Sequence, residues 1–131
     1  MPHQTRWTEN GCHLTVFDTI DGPELIRIND EMCGAEQFDN IQYFVRDLSR
    51  IRMNRLCPSD LIEAAYINTV ASTYKPRLRG AFIVSDPVTE SHVQHYIDQS
   101  KKAGNHWEMA IIHDPDAALQ WATAHLPQRD H

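Results

Sequence analysis

No unbroken apolar run in this 131-residue chain is longer than four residues, at 64–67, 81–84 and 109–112. A membrane-spanning helix needs about 20, so no such span is expected. The first seven residues, Met1 to Trp7, are polar and include no apolar stretch of the kind a secretory leader carries. Cysteine is scarce: three residues, at positions 12, 33 and 57. An odd number at those wide spacings makes neither a disulfide framework nor a zinc-ligand pattern. The expected compartment is therefore reducing and cytoplasmic, with the cysteines acting as small buried hydrophobes. Basic charge is also short. Twelve Lys+Arg stand against 18 Asp+Glu, a net of −6, which argues against general nucleic-acid binding because phosphate contacts need a basic surface. There are only five glycines, and no G-x-G-x-x-G, P-loop, G-x-S-x-G or H-E-x-x-H pattern occurs.

What is present reads as one ordinary globular domain over residues 1–131. Hydrophobic residues make up 41% and charged residues 23%, enough apolar material for a proper core. Four of the seven prolines stand where a helix can begin, at Pro23, Pro58, Pro87 and Pro115. A first helical position suits proline, whose missing N–H costs nothing there. Asp86 and Asp114 precede two of them and are natural N-caps. Pro76 and Pro127 follow expected helix ends. The periodicity predicts helices at 23–34 (Leu25, Ile28, Met32), 58–74 (Leu61, Ala64, Ala65, Ile67, Val70, Ala71, Tyr74), 88–103 (Val93, Tyr96, Ile97) and 115–126 (Ala118, Trp121, Ala122). Strands fit between them at 4–8, 12–19, 41–48, 78–85 and 107–113, the first two joined by a hairpin at Asn10-Gly11. The order is ββαβαβαβα. It predicts an α/β domain with a mixed, mostly parallel five-stranded sheet and an antiparallel edge hairpin.

Two strands alternate instead of reading as continuous apolar runs. Buried parallel strands do not alternate, so one face of the sheet is expected to be open, carrying Phe17 and Phe44 amid polar residues. Charge is also uneven. Residues 46–79 hold seven basic residues against three acidic ones, a net of +4, and the remainder holds five against fifteen. Arg50, Arg52 and Arg55 fall in the expected loop after the third strand. With Phe17 and Phe44 they form a candidate partner surface for an acidic protein.

Three stretches carry a family likeness. They are Phe38-Asp39-Asn40-Ile41-Gln42-Tyr43-Phe44-Val45-Arg46-Asp47-Leu48-Ser49, Pro76-Arg77-Leu78-Arg79-Gly80-Ala81-Phe82-Ile83-Val84, and Ala117-Ala118-Leu119-Gln120-Trp121. Together they resemble the SpoIIAA-like (STAS-type) bacterial domains, which start with a β-hairpin, have a strand closing in Asp-Leu-Ser and end in a helix with a Leu-x-Trp pattern. The resemblance implies a superhelix of βα units that signals through protein–protein contact, without catalysis or cofactor. It also implies a homodimer. Some relatives are anti-sigma-factor antagonists switched by phosphorylation of a Ser or Thr in a turn beyond the Asp-Leu-Ser strand. Here that turn holds Arg55-Leu56-Cys57-Pro58, and Ser59 is the nearest hydroxyl, at a helix start where a phosphate is favoured. The superfamily relationship extends to longer, lipid-carrying CRAL-TRIO-like domains, which have extra helices around the lipid, so enclosed lipid binding is not the expected role.

A second reading places a small-molecule or anionic-ligand site, or a hydrolase, at the C-terminal edge of the sheet. Ligands bind there in open α/β sheets, and Asp47, Ser49, Ser85, Asp86, His113 and Asp114 fall there. The alternative for these residues is capping and strand termination. Hydrolysis requires His113 to reach Ser85 or Ser49. A third reading is metal binding by His92 and His95, one helical turn apart with Glu90 and Asp98 nearby. Surface histidines account for the same pattern, and no metal is assigned.

Overall fold

A computed structural model describes residues 3–126. The elements in chain order are β1 (His3–Trp7), β2 (Gly11–Val16), β3 (Asp18–Ile20), α1 (Gly22–Gly34), β4 (Tyr43–Asp47), β5 (Ile51–Asn54), α2 (Pro58–Tyr74), β6 (Arg79–Ile83), α3 (Pro87–Lys102), β7 (Glu108–Ile112) and α4 (Pro115–Thr123), with a short 3-10 turn at Glu36–Asp39. Five strands form a sheet in the order β1-β2-β4-β6-β7. Its first pair is antiparallel and the other three are parallel. The expected mixed α/β sheet is therefore present. Pro127 lies outside the described residues.

The proline starts are real, and each has its own cap. Asp21 accepts from Glu24 N at 2.9 Å, Asp86 from Thr89 N at 2.8 Å and Asp114 from Ala117 N at 2.9 Å. These bonds satisfy amides that the first turn leaves without partners. At α2 the cap position is Cys57, a poor acceptor, and Asp60 instead reaches back to take Cys57 N at 2.8 Å. Cys57 is exposed, unlike buried Cys12 and half-buried Cys33. Beyond the C-cap of α3, at Ala103, the chain turns at Gly104, whose φ of +88° suits glycine.

Three features depart from the sequence reading. First, the strand expected over 12–19 is interrupted. Phe17 lies outside the ladder, and Asp18 turns the chain with φ 63°. The remaining β3 pairs in parallel with β5 as a separate two-stranded ribbon. The expected loop after the third strand therefore contains a strand, and Arg52 sits in it. Second, neither Asn10 nor Gly11 has positive φ, so the hairpin is not the tight Asn-Gly type; Trp7 pairs with Cys12 across four residues. Gly11 is needed for another reason: a Cβ there would fall 2.1 Å from Tyr43 Cζ.

The third departure concerns which side of the sheet is which. Three helices, α1 to α3, cover one face and α4 covers part of the other. The register pairs Cys12 with Phe44, so Phe44 and Arg46 share the face of Cys12, Leu14 and Val16. That is the face under the three helices. Phe44 is 1% exposed and meets Phe82 and Trp107 edge-on at 5.7 Å between ring centroids. The expectation that Phe44 is a surface residue is therefore overturned. β4 is buried on both faces from Tyr43 to Arg46, and the parity that meets the larger helix layer is the opposite of the expected one; a one-residue change of parity moves every side chain across the sheet. The second core, under α4, holds Tyr43, Val45, Ala81 and Ile83 against Ala118 and Ala122. α4 does not reach β1 and β2, where Gln4, Arg6, His13 and Thr15 line a shallow groove with Val45 and Asp47.

A charge cluster ties β1 to α1. His3 Nδ1 bonds to Glu24, and its Nε2 lies 2.6 Å from Glu31 Oε2. Arg27 Nη2 donates to Glu24 at 2.6 Å. Burial pulls the His3 pKa down, but the bonds to Glu31 and Glu24 outweigh it and hold it above 6.5. Burial pushes Glu24 up, and the bonds from Arg27 and His3 bring it below 4.5; the bond from His3 likewise lowers Glu31. The His3 contribution is complete below pH 6.5 and fades as pH rises through its raised pKa. The carboxylate contributions are complete above pH 4.5 and fade as pH falls through their lowered pKa values. Stability is therefore expected to plateau between these limits. His3→Ala should cost about 1–2 kcal/mol on the plateau and flatten the alkaline decline. Urea denaturation at pH 5.5 and 8 checks this; a variant that declines as steeply as the parent removes His3 as the cause.

Candidate functional site

The C-terminal edge of the sheet is where ligands settle in open α/β proteins, and its residues are already engaged. Asp47 Oδ1 accepts from both Ser49 N (2.9 Å) and Ser49 Oγ (2.5 Å). Ser85 Oγ donates to the Ser49 carbonyl at 3.1 Å. Asp86 and Asp114 cap α3 and α4. His113 Nε2 lies 2.5 Å from Glu90 Oε1, and neither serine hydroxyl takes it as a hydrogen-bond partner. Neither Ser49 nor Ser85 is paired with a histidine here, so the Ser–His arrangement that the hydrolase reading requires is not formed. Among the described residues no three metal-ligating side chains come together. His92 and His95 diverge: His92 lines an internal void behind the sheet, and His95 lines an outer groove with Glu90 and Asp98.

Phe17, Ser49, Arg50, Arg52 and Asp18 surround one shallow depression beside the β3–β5 ribbon. The Arg50 guanidinium lies 5.9 Å from the Phe17 ring centroid, and Arg52 Nε is 3.8 Å from Asp18. Arg55 is also exposed, with Nε 3.0 Å from Met53 Sδ. Phe17 and the three arginines therefore cluster about the ribbon, while Phe44 does not. The rest of the basic segment is dispersed. Arg46 is interior, and Arg79 is held by the Trp121 carbonyl at 2.9 Å and lies over that indole at 5.0 Å.

The most conspicuous surface was missed in sequence. Ile62, Tyr66, Val70 and Tyr74 on α2 are 37, 65, 60 and 85% exposed. A spacing of four places them in one ridge along the helix. The helical periodicity predicts Val70 and Tyr74 on the inward face. Instead α2 turns Leu61, Ala64, Ala65, Asn68 and Ser72 inward. The inner row is partly polar because Asn68 Nδ2 donates to Tyr96 OH at 2.6 Å and Ser72 Oγ to the Thr69 carbonyl at 2.7 Å. The four-residue repeat was the available signal. Ser59 is exposed in the first turn of the same helix. No helix among the described residues is long and apolar enough to cross a membrane.

No protein-family model and no curated protein sequence matches this chain. Solved structures do. The anti-sigma factor antagonist SpoIIAA in its unphosphorylated form aligns with TM-score 0.63 at 9% identity, over 95% of this chain and 99% of its own. An anti-sigma factor antagonist from Mycobacterium paratuberculosis aligns with TM-score 0.60 at 18% identity, over 92% of both chains. A DUF3478 protein with a SpoIIAA-like fold from Shewanella loihica reaches 0.50 at 10% identity, over 92% of this chain and 91% of its own. The fold of this chain is SpoIIAA-like.

Proposed function

We propose that the chain is a non-catalytic signalling module that binds another protein through the outward face of α2. The ridge of Ile62, Tyr66, Val70 and Tyr74 carries this reading. Scattered apolar side chains are normal on a surface, but four aligned on one helix mark an interaction site, and exposed tyrosines are favoured binding anchors. Similarity to two anti-sigma factor antagonists supports a partner-binding role. The exposed Arg50, Arg52 and Arg55 precede α2 in the chain and suit a partner with acidic groups beside its apolar contact. Phosphorylation of Ser59, at the start of the same helix, would alter charge next to the ridge. The protein acts in a cytoplasmic setting, and a homodimer through the ridge is the self-association counterpart of the same chemistry.

The test is Tyr66→Glu combined with Tyr74→Glu. Neither side chain is buried, so stability should change by no more than about 0.5 kcal/mol per site. Each aromatic lost from a docked centre should weaken partner binding by about 2 kcal/mol or more. Co-purification from the native host, parent against variant, measures the loss, and light scattering reports self-association. Equal recovery of every co-purifying protein with both forms, with a monomer in both, would refute the reading.

A further inference from the structure

Arg46 projects from β4 under the three-helix layer and is 4% exposed. Among the described residues it makes no ion pair. Its Nη2 donates to Asn29 Oδ1 at 2.7 Å and lies 3.9 Å from Met32 Sδ, and its guanidinium sits 5.2 Å from the Phe44 centroid. Its Nε has no partner. The neighbours do not make up the deficit. Asn68 Nδ2 also donates toward Asn29 Oδ1, at 3.3 Å, and Asn29 Nδ2 is itself without a partner. Donors therefore outnumber acceptors in a fully buried cluster. The protein supplies no anion there either: burial pushes the Cys12 thiol up to about 11 and raises Cys33 and Tyr96, so all three stay neutral. A buried guanidinium without a counter-charge is an expensive arrangement.

Arg46 also lines a void. The space is about 40 Å³, walled by Leu14, Val16, Ile28, Phe82 and Val93. Leu25, Ile51, Asn54, Leu56 and His92 are its half-buried lining residues, so it opens beside the β3–β5 ribbon. His92 lines it too, with Nδ1 buried and unpartnered. Arg46 and His92 thus line one void together with Asn54, Thr89 and Tyr96, and the rest of its wall is aliphatic and aromatic. We propose that this void binds a small monocarboxylate with a short apolar tail, of propionate or butyrate size, whose carboxylate pairs with Arg46. The carboxylate accepts from the Arg46 guanidinium, and the tail lies against the aliphatic wall toward the rim. The volume limits the ligand: about 10–15 Å³ is the least that holds a single water, so a void of about 40 Å³ does not take a long-chain acid. The site lies behind the sheet, and its test is separate from that of the α2 ridge.

Butyrate, butanol and chloride are titrated into ¹⁵N-labelled full-length protein, and the Arg46 Nε–H and Asn29 side-chain amide resonances are followed. Saturable shifts with butyrate, at least tenfold weaker with butanol and absent in Arg46→Met, are expected. Because Arg46→Met removes a buried charge, it should fold. If it does not, ¹³C-carboxyl butyrate bound to the parent protein decides: its carboxylate should titrate at least one pH unit below free butyrate. Shifts from chloride equal to those from butyrate, unchanged binding in Arg46→Met, a bound carboxylate that titrates like the free acid, or no saturable shift (ordered water only) would each overturn the proposal.

Discussion

Replacing Phe44 by alanine should cost about 3–5 kcal/mol, the range for deleting a buried aromatic side chain. The ring is 1% exposed and belongs to an aromatic lattice in which Phe82 and Trp107 meet it edge-on at 5.7 Å, Phe38 meets Trp107 at 6.4 Å and Tyr96 meets Phe82 at 5.8 Å. The neighbours are tied elsewhere: Trp107 Nε1 donates to the Lys75 carbonyl at 2.7 Å, and Tyr96 OH is held by Asn68. They cannot collapse into the space, which places the cost toward the upper end. Against a typical total of about 5–15 kcal/mol, the variant is expected to be marginal at 37 °C. Urea denaturation measures it; a loss below about 1 kcal/mol would mean that the ring is not in the core. Phe44→Glu should prevent folding, because an unpaired carboxylate cannot be accommodated there. That variant reports on the core and says nothing of any interface.

Gly80→Ala probes the same ring from the neighbouring strand. β4 and β6 pair Phe44 with Gly80, and a Cβ at Gly80 would lie 2.1 Å from Phe44 Cζ. The ring lies over the glycine and is held by Phe82 and Trp107, so one methyl forces a shift of the lattice. A cost of about 1–3 kcal/mol is expected. The diagnostic outcome is non-additivity. Phe44→Leu shortens the side chain and makes room, so the double variant should be more stable than the sum of the single effects by about 0.5–3 kcal/mol. Gly34→Ala is the control, since nothing lies within 4 Å of its Cβ position and its φ is not positive. It should be neutral or stabilise by up to about 1 kcal/mol. Strict additivity at Gly80 and Phe44 would show that the clash is not with this ring.

The scaffold was legible where a local signal is also the structural cause. Aspartate before proline marks a helix start because the same two residues make the cap, as at Asp86 and Asp114. The strands between followed from the spacing of those starts. What stayed hidden depends on pairing. Tyr43 to Asp47 alternates, but alternation does not say which parity faces the larger helix layer; the register of Cys12 against Phe44 does, and it is a long-range property. The β3–β5 ribbon is three residues against four, too short for a periodic signature. α2 misled because its buried row includes Asn68 and Ser72 while its exposed row includes two tyrosines, the reverse of the usual rule. Of the candidate residues, Phe17, Arg50, Arg52 and Arg55 converge on the ribbon. Asp47, Ser49, Ser85, Asp86, His113 and Asp114 form local turns, caps and pairs.

The uneven helix cover has a consequence for how the molecule breathes. α4 has nine residues and buries only two of them, Ala118 and Ala122; small side chains remove little apolar area from water. Arg79 on Trp121 is its main polar anchor. Such a segment detaches at a fraction of the global unfolding cost, and its amides should exchange with solvent before those of α2 or β4. When it leaves, Val45, Ala81 and Ile83 become bare in the middle of an intact sheet. The transient species is a nearly native molecule with a sticky patch, so aggregation in this protein should begin from local opening of its last helix and not from complete unfolding.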